Sequence, residues 1–164
     1  MMWFVIITVV VIALIVGPMM MMRPDTAQKN KENLRAIAFT KGIRFSVKNL
    51  PQQPSEIEKP APIPVYFFAP IKDHQNDDWL LLRTSYEHEI HFLGSWAWQG
   101  KVRATDAEQN ILKKYLPLFP ENVRAVSVGS QGICVYWYEK GGEAVLQQVM
   151  GLLQDLKKLQ VKPV

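Results

Sequence analysis

The sequence predicts an α+β protein: an N-terminal transmembrane helix followed by one two-layer domain with a mainly antiparallel sheet and helices. Three observations carry that expectation. Residues 1–22 hold no charge, and only Thr8, Gly17 and Pro18 interrupt an otherwise apolar run. Short alternating or β-rich runs recur between Ile43 and Tyr138, separated by turn residues. Two later segments, opening at Thr105 and Gly142, repeat their apolar residues at helical spacing. No internal repeat is visible.

The first run is long enough, as a helix rising about 1.5 Å per residue, to cover the roughly 30 Å hydrocarbon core of a bilayer. A backbone in lipid must satisfy its own hydrogen bonds, so a single segment there is helical. A secretory signal peptide is the alternative. It needs a basic leading region and a small-residue cleavage site, whereas only two Met precede Trp3 and Met19 to Met22 stand where Ala-x-Ala belongs. The segment 1–22 therefore reads as an uncleaved anchor, and Pro18 is expected to kink or end its helix.

Charge then orients the chain. Residues 23–48 hold seven Lys or Arg against two acids, while residues 49–164 hold twelve against thirteen. The net charge of +4 is thus a juxtamembrane belt and not a nucleic-acid footprint. No Lys or Arg precedes the run. The positive-inside rule places the N-terminus outside and the domain in the cytoplasm. A single cysteine, Cys134, excludes an intramolecular disulfide.

Residues 23–42 form the next unit, a basic juxtamembrane helix capped by Asp25 and ended by Gly42. Its apolar stripe is Leu34, Ile37 and Ala38; Lys29, Lys31 and Arg35 take the opposite side. Two uses fit. With Arg23, these three cations can meet the anionic leaflet, at about 1 kcal/mol for each nearby charge, or the stripe can pack on the domain.

The domain, 43–164, opens with Ile43, Phe45 and Val47 alternating with polar residues, a half-buried strand. Five prolines in 51–64 forbid a helix and a central strand, so this reads as an extended tether or surface loop. Val65–Phe68 and Trp79–Thr84 are strands around a polar loop. Glu89–Gln99 supplies one or two more. Thr105 and Glu108 form a capping box for a helix that Pro117 stops. Val123–Val128 and Ile133–Tyr138 flank Gly129-Ser-Gln-Gly132, a hairpin signal. The final helix, Gly142–Leu159, aligns Val145, Val149, Leu152, Leu156 and Leu159 on one side and should close the sheet.

Chemistry is sparse. His88-Glu-Ile-His91 is the one tight group of metal-ligand types, but strand residues three apart face opposite ways, and the spacing is not that of a helical zinc motif. Asp73, Asp77 and Asp78 do not match a calcium loop. Cys134, among Ile133, Val135 and Trp137, reads as an inert core thiol. Trp96 and Trp98 share one strand face; core is the first reading, and if that face is open they are a candidate interaction patch. No catalytic, cofactor or metal site is expected. The enzyme alternative needs a cleft that gathers His88, Glu89, His91 or the Asp73–Asp78 loop.

Met20-Met-Met-Arg-Pro24, Lys29-Asn-Lys-Glu32, Leu34 and Lys41-Gly42 together resemble the start of single-span bacterial inner-membrane proteins, some of them counted as the YajC subunit of the preprotein translocase. The resemblance covers about the first 45 residues. In place of that family's Gly-Gly-Ile turn stands Ile43-Arg-Phe-Ser-Val47. The resemblance implies an inner-membrane protein with a cytoplasmic domain. The anchor, the basic belt and the lack of a catalytic constellation lead to the expectation of a non-catalytic, membrane-anchored accessory or scaffold protein, with the lipid bilayer and another membrane protein or complex as partners, no nucleic acid and no cofactor. A sensor of anionic lipid is the further alternative.

Overall fold

The computed structural model describes residues 1–21, 26–53, 59–70 and 78–161, apart from the side chains of residues 15 and 17–21. Arg23, the Asp25 cap, Asp73, Asp77 and the middle of the proline-rich segment lie outside the described residues. The chain divides into two units, Met1–Glu32 and Asn33–Val164.

The first unit holds helix α1 (Met2–Met21) and the opening turns of α2 (Thr26–Thr40). In α1 the one polar side chain, Thr8, donates its hydroxyl to the Phe4 carbonyl at 2.7 Å and so needs no outside partner. Pro18 does not end the helix, which runs on to Met21. The side chains from Met2 to Leu14 are exposed, large apolar ones included. Among the described residues no helix is long and apolar enough to cross a membrane. The continuous run of described α1 side chains covers about 20 Å, against about 30 Å of hydrocarbon.

The second unit is an α+β domain. Its strands are β1 (Arg44–Lys48), β2 (Ile63–Phe68), β3 (Trp79–Arg83), β4 (Trp96–Gln99), β5 (Val123–Gly129) and β6 (Gly132–Trp137); its remaining helices are α3 (Asp106–Tyr115) and α4 (Gly142–Gln160). This is the expected order of elements. The strands form one antiparallel sheet in the order β1-β2-β6-β5-β3-β4.

Local chemistry explains the elements. At the end of α2, Gly42 takes φ 75°; its N–H donates to Phe39 and that of Ile43 donates to Ala38. That is a Schellman close, with buried Ile43 packing back over buried Ala38. The Thr105–Glu108 capping box forms as expected and opens α3. The β5–β6 turn is the expected tight hairpin, with Gly129 opposite Gly132. A Cβ on Gly132 would lie 1.9 Å from the Phe68 carbonyl oxygen, so only glycine lets β2 approach there.

One sheet face carries Tyr66, Phe68, Leu81, Val126, Val128, Ile133, Val135 and Trp137 in the main core, with Leu34, Ala38, Leu112, Val149, Leu152, Leu153 and Leu156 from the helices. Helix α4 packs on β6, β2 and α3. The expected stripe is buried except at Leu159, which is exposed at the last turn. The second half of α2 therefore packs on the domain through Leu34 and Ala38.

The other face is also buried. Ile63, Val65, Leu82, Ala125, Cys134 and Tyr136 make a second cluster, with Leu50, Phe67 and Leu80 packed against it. Part of its surroundings is Leu50 with the start of the segment 51–64, expected as an extended tether or surface loop. Leu50 lies on the cluster, and Gln53 donates its side-chain amide to the Arg83 carbonyl at 3.1 Å, on a strand three places away from β2.

Three boundaries differ from expectation. Strand β2 begins at Ile63, so Pro64 lies within an interior strand; it pairs with Val47 only, before the β6 pairing starts at Val65. In β1 the apolar alternation points the other way: Phe45 and Val47 are 36% and 54% exposed, while buried Ile43 lies just outside the strand. Residues 88–95 form turns and an isolated bridge, leaving β4 only four residues.

Candidate functional site

The most concentrated electrostatics in the domain lie at Glu139. This residue follows β6 in a left-handed conformation, φ 58°, and its side chain is wholly buried. A non-glycine residue in that region holds strain that its surroundings must offset. They do. Arg35 donates Nε–H to Oε1 and an Nη2–H to Oε2, both at 2.7 Å, and the Tyr66 hydroxyl donates to Oε1 at 2.8 Å. The Arg35 guanidinium also lies 4.0 Å from the centre of the Phe45 ring. The bidentate bond to Glu139 raises the Arg35 pKa, and burial, then the bond to Glu139, raises that of the Tyr66 phenol. With three charge-directed donors satisfied, Glu139 is a fastener between α2, β2 and the loop after β6.

A cleft of about 290 Å³ opens beside β4, lined by Gln53, Tyr86, His91, Trp98 and Arg103 among others. Trp98 is among the lining residues; its ring is set edge-to-face on Trp79 at 5.5 Å, and the Arg103 guanidinium lies 5.8 Å from it. His91 Nδ1 is 3.0 Å from the Gly94 carbonyl oxygen. A carbonyl only accepts, so Nδ1 carries a proton there. Among the described residues that line it there is no Asp or Glu. The described lining of the cleft thus offers an imidazole and a guanidinium.

The predicted chemical residues are not brought together. His88 and His91 sit in a turn with ring centres 6.0 Å apart, not on a strand. His88 Nδ1 accepts the Ile90 N–H at 3.2 Å, and His88 and Glu89 do not line the cleft. Among the described residues no three His, Cys, Asp or Glu side chains are grouped to hold a metal ion. Asp78 accepts from the Ser130 N–H at 2.8 Å and from its hydroxyl at 3.2 Å, which ties the entry of β3 to the β5–β6 turn. Cys134 is buried as expected, and burial raises its pKa. Trp96 is 3% exposed and stacks toward Phe119; Trp98 is half-buried. The open two-indole face does not form, because β4 lays both rings into the main core.

The basic belt is divided among different tasks. Lys29 and Lys31 are exposed on the first half of α2. Arg35, expected at the leaflet, is committed to Glu139. Lys41 and Arg44 are exposed at the start of β1, and Lys48 reaches Gln131 and the Phe67 ring from its end. Glu139 and Tyr66 were not legible as a site. Their partner Arg35 is 104 residues from Glu139 in the chain, and no local pattern marks such a pair. No known protein family, curated protein or solved structure matches the chain.

Proposed function

We propose that this chain is a membrane-anchored, non-catalytic accessory or scaffold protein, whose α+β domain faces the bacterial cytoplasm and contacts another membrane protein or complex, such as the preprotein translocase. The observation that carries this reading is α1. Twenty consecutive helical residues bear no charge, and the described side chains are exposed. Each large apolar side chain left in water forgoes about 1.5–3 kcal/mol, so a run of them calls for lipid. The full sequence of α1 reaches about 30 Å, the thickness that lipid requires.

Lys29 and Lys31 follow at the distance where cations stay on the cytoplasmic side. Arg35 has no part in that contact, since it is held by Glu139. The neutral balance of residues 49–164 gives no reason to invoke nucleic acid. The resemblance of the first 45 residues to YajC-type proteins supports the same assignment.

The test is protease added to intact spheroplasts carrying the full chain with a C-terminal tag. The tag and residues 65–159 should survive, and be digested once the membrane is opened. Digestion before opening refutes the cytoplasmic placement. Release of the chain by alkaline carbonate refutes the anchor.

A further inference from the structure

We infer that the outer edge of β1 is a docking site for an extended strand of another protein, one that alternates apolar and acidic residues. The inference gives the proposed accessory role its contact surface and rests on that reading, though the edge itself belongs to the domain whatever its compartment.

The backbone comes first. Strand β1 ends the sheet, and among the described residues nothing pairs with its outer side. Its register with β2 sets Val47 opposite Pro64. Proline has no N–H, so that pair cannot exchange two hydrogen bonds. Antiparallel pairs alternate between bonded and non-bonded, so Arg44, Ser46 and Lys48 are the residues bonded to β2. The N–H and C=O groups of Phe45 and Val47 then point off the sheet. These unpaired groups are a template for one more strand.

Side chains say what kind. Phe45 and Val47 are exposed on the helix-bearing side of the sheet, and Phe39, at the end of α2, is 74% exposed. Apolar residues usually avoid an open edge. On the opposite side of β1 stand Arg44 and Lys48, and Lys41 lies just before the strand. A partner strand with apolar residues across from Phe45 and Val47 and carboxylates across from Arg44 and Lys48 satisfies both rows. A second copy of this chain does not. Antiparallel pairing of β1 with itself about Ser46 sets Arg44 against Lys48 twice, and like charges directly opposite are unfavourable.

The probe is a dye-labelled eight-residue peptide, (Val-Glu)4, titrated onto the full chain in detergent micelles and read by anisotropy. Saturable binding is expected. Val47→Pro removes only an outward N–H, at an edge position proline tolerates, and should weaken binding at least tenfold with an unchanged melting temperature. Arg44→Glu with Lys48→Glu should reject (Val-Glu)4 and accept (Val-Lys)4. Failure of (Val-Glu)4 to bind, or equal binding by Val47→Pro, overturns the proposal. So does a dimer of the unliganded chain that Val47→Pro dissociates, which would make the occupant a second copy. None of these failures touches the protease result, so the anchored placement stands or falls separately.

Discussion

The two faces of the sheet are both buried, and they are buried by different means. On one, α2, α3 and α4 lay regular apolar stripes over Tyr66, Val126, Val135 and Trp137. On the other, Leu50 packs against the cluster of Val65, Ala125, Cys134 and Tyr136, and Gln53, at the start of the irregular proline-rich segment, bonds to the Arg83 carbonyl. A periodic cover announces itself, because every turn of an amphipathic helix repeats the same instruction. An aperiodic cover is written only once, in the shape of particular side chains.

That difference sets the largest expected effect. Leu152 is fully buried on α4 against the sheet. Leu152→Ala should cost about 2–5 kcal/mol, the transfer term plus the cavity left in a well-packed layer. Chemical denaturation of the full chain in detergent measures it. A loss below 1 kcal/mol would show that α4 lies loosely on the sheet and that the contrast between the faces is misdrawn.

The covered face is probed by its thiol. Cys134 is 1% exposed in the second cluster, so a thiol reagent reaches it only when the cover opens. Gln53→Ala removes the bond to the Arg83 carbonyl and should cost about 1 kcal/mol, raising the labelling rate roughly fivefold if opening of the segment is the route. Leu152→Ala, on the far side, should accelerate labelling only through global unfolding. Equal acceleration per unit of lost stability would mean that the loop is no separate lid and that both faces open together.

The same contrast explains what the sequence disclosed. The order of elements, the Thr105 capping box, the 129–132 turn and the burial of Cys134 each rest on neighbours within a few residues, and each is present. Strand β1 misled because its alternation was real but its direction was not: Ile43 closes α2, and the edge leaves Phe45 and Val47 uncovered. Pro64 could enter β2 only because the strand is paired on one side at that point. Glu139 was invisible, since its burial depends on Arg35 and Tyr66 arriving from other elements.

The smallest effect lies within the helical layer, where Tyr115 of α3 donates its hydroxyl to Asp155 of α4 at 2.8 Å. Burial first, then that bond, pushes the Tyr115 phenol up to about 12. The ammonium of Lys158, and then Tyr115, hold the Asp155 carboxyl below the usual range. The signs are opposite. A raised phenol stabilises fully below its ordinary value near 10 and loses that contribution as pH climbs toward about 12. A lowered carboxyl stabilises above its ordinary value near 4 and loses that contribution as pH falls through the folded value. Tyr115→Phe should therefore cost about 0.5–1.5 kcal/mol at neutral pH, and its deficit against the wild type should shrink between pH 10 and 12. Tyr66 destabilises both proteins alike over that range, so it cancels in the difference. Denaturant midpoints at pH 7, 10 and 11.5 read the outcome. A deficit that stays constant across them would show that the hydroxyl contributes nothing that ionisation can remove, and that packing of the ring against Gly151, 3.0 Å from where a Cβ would stand, is what joins the two helices.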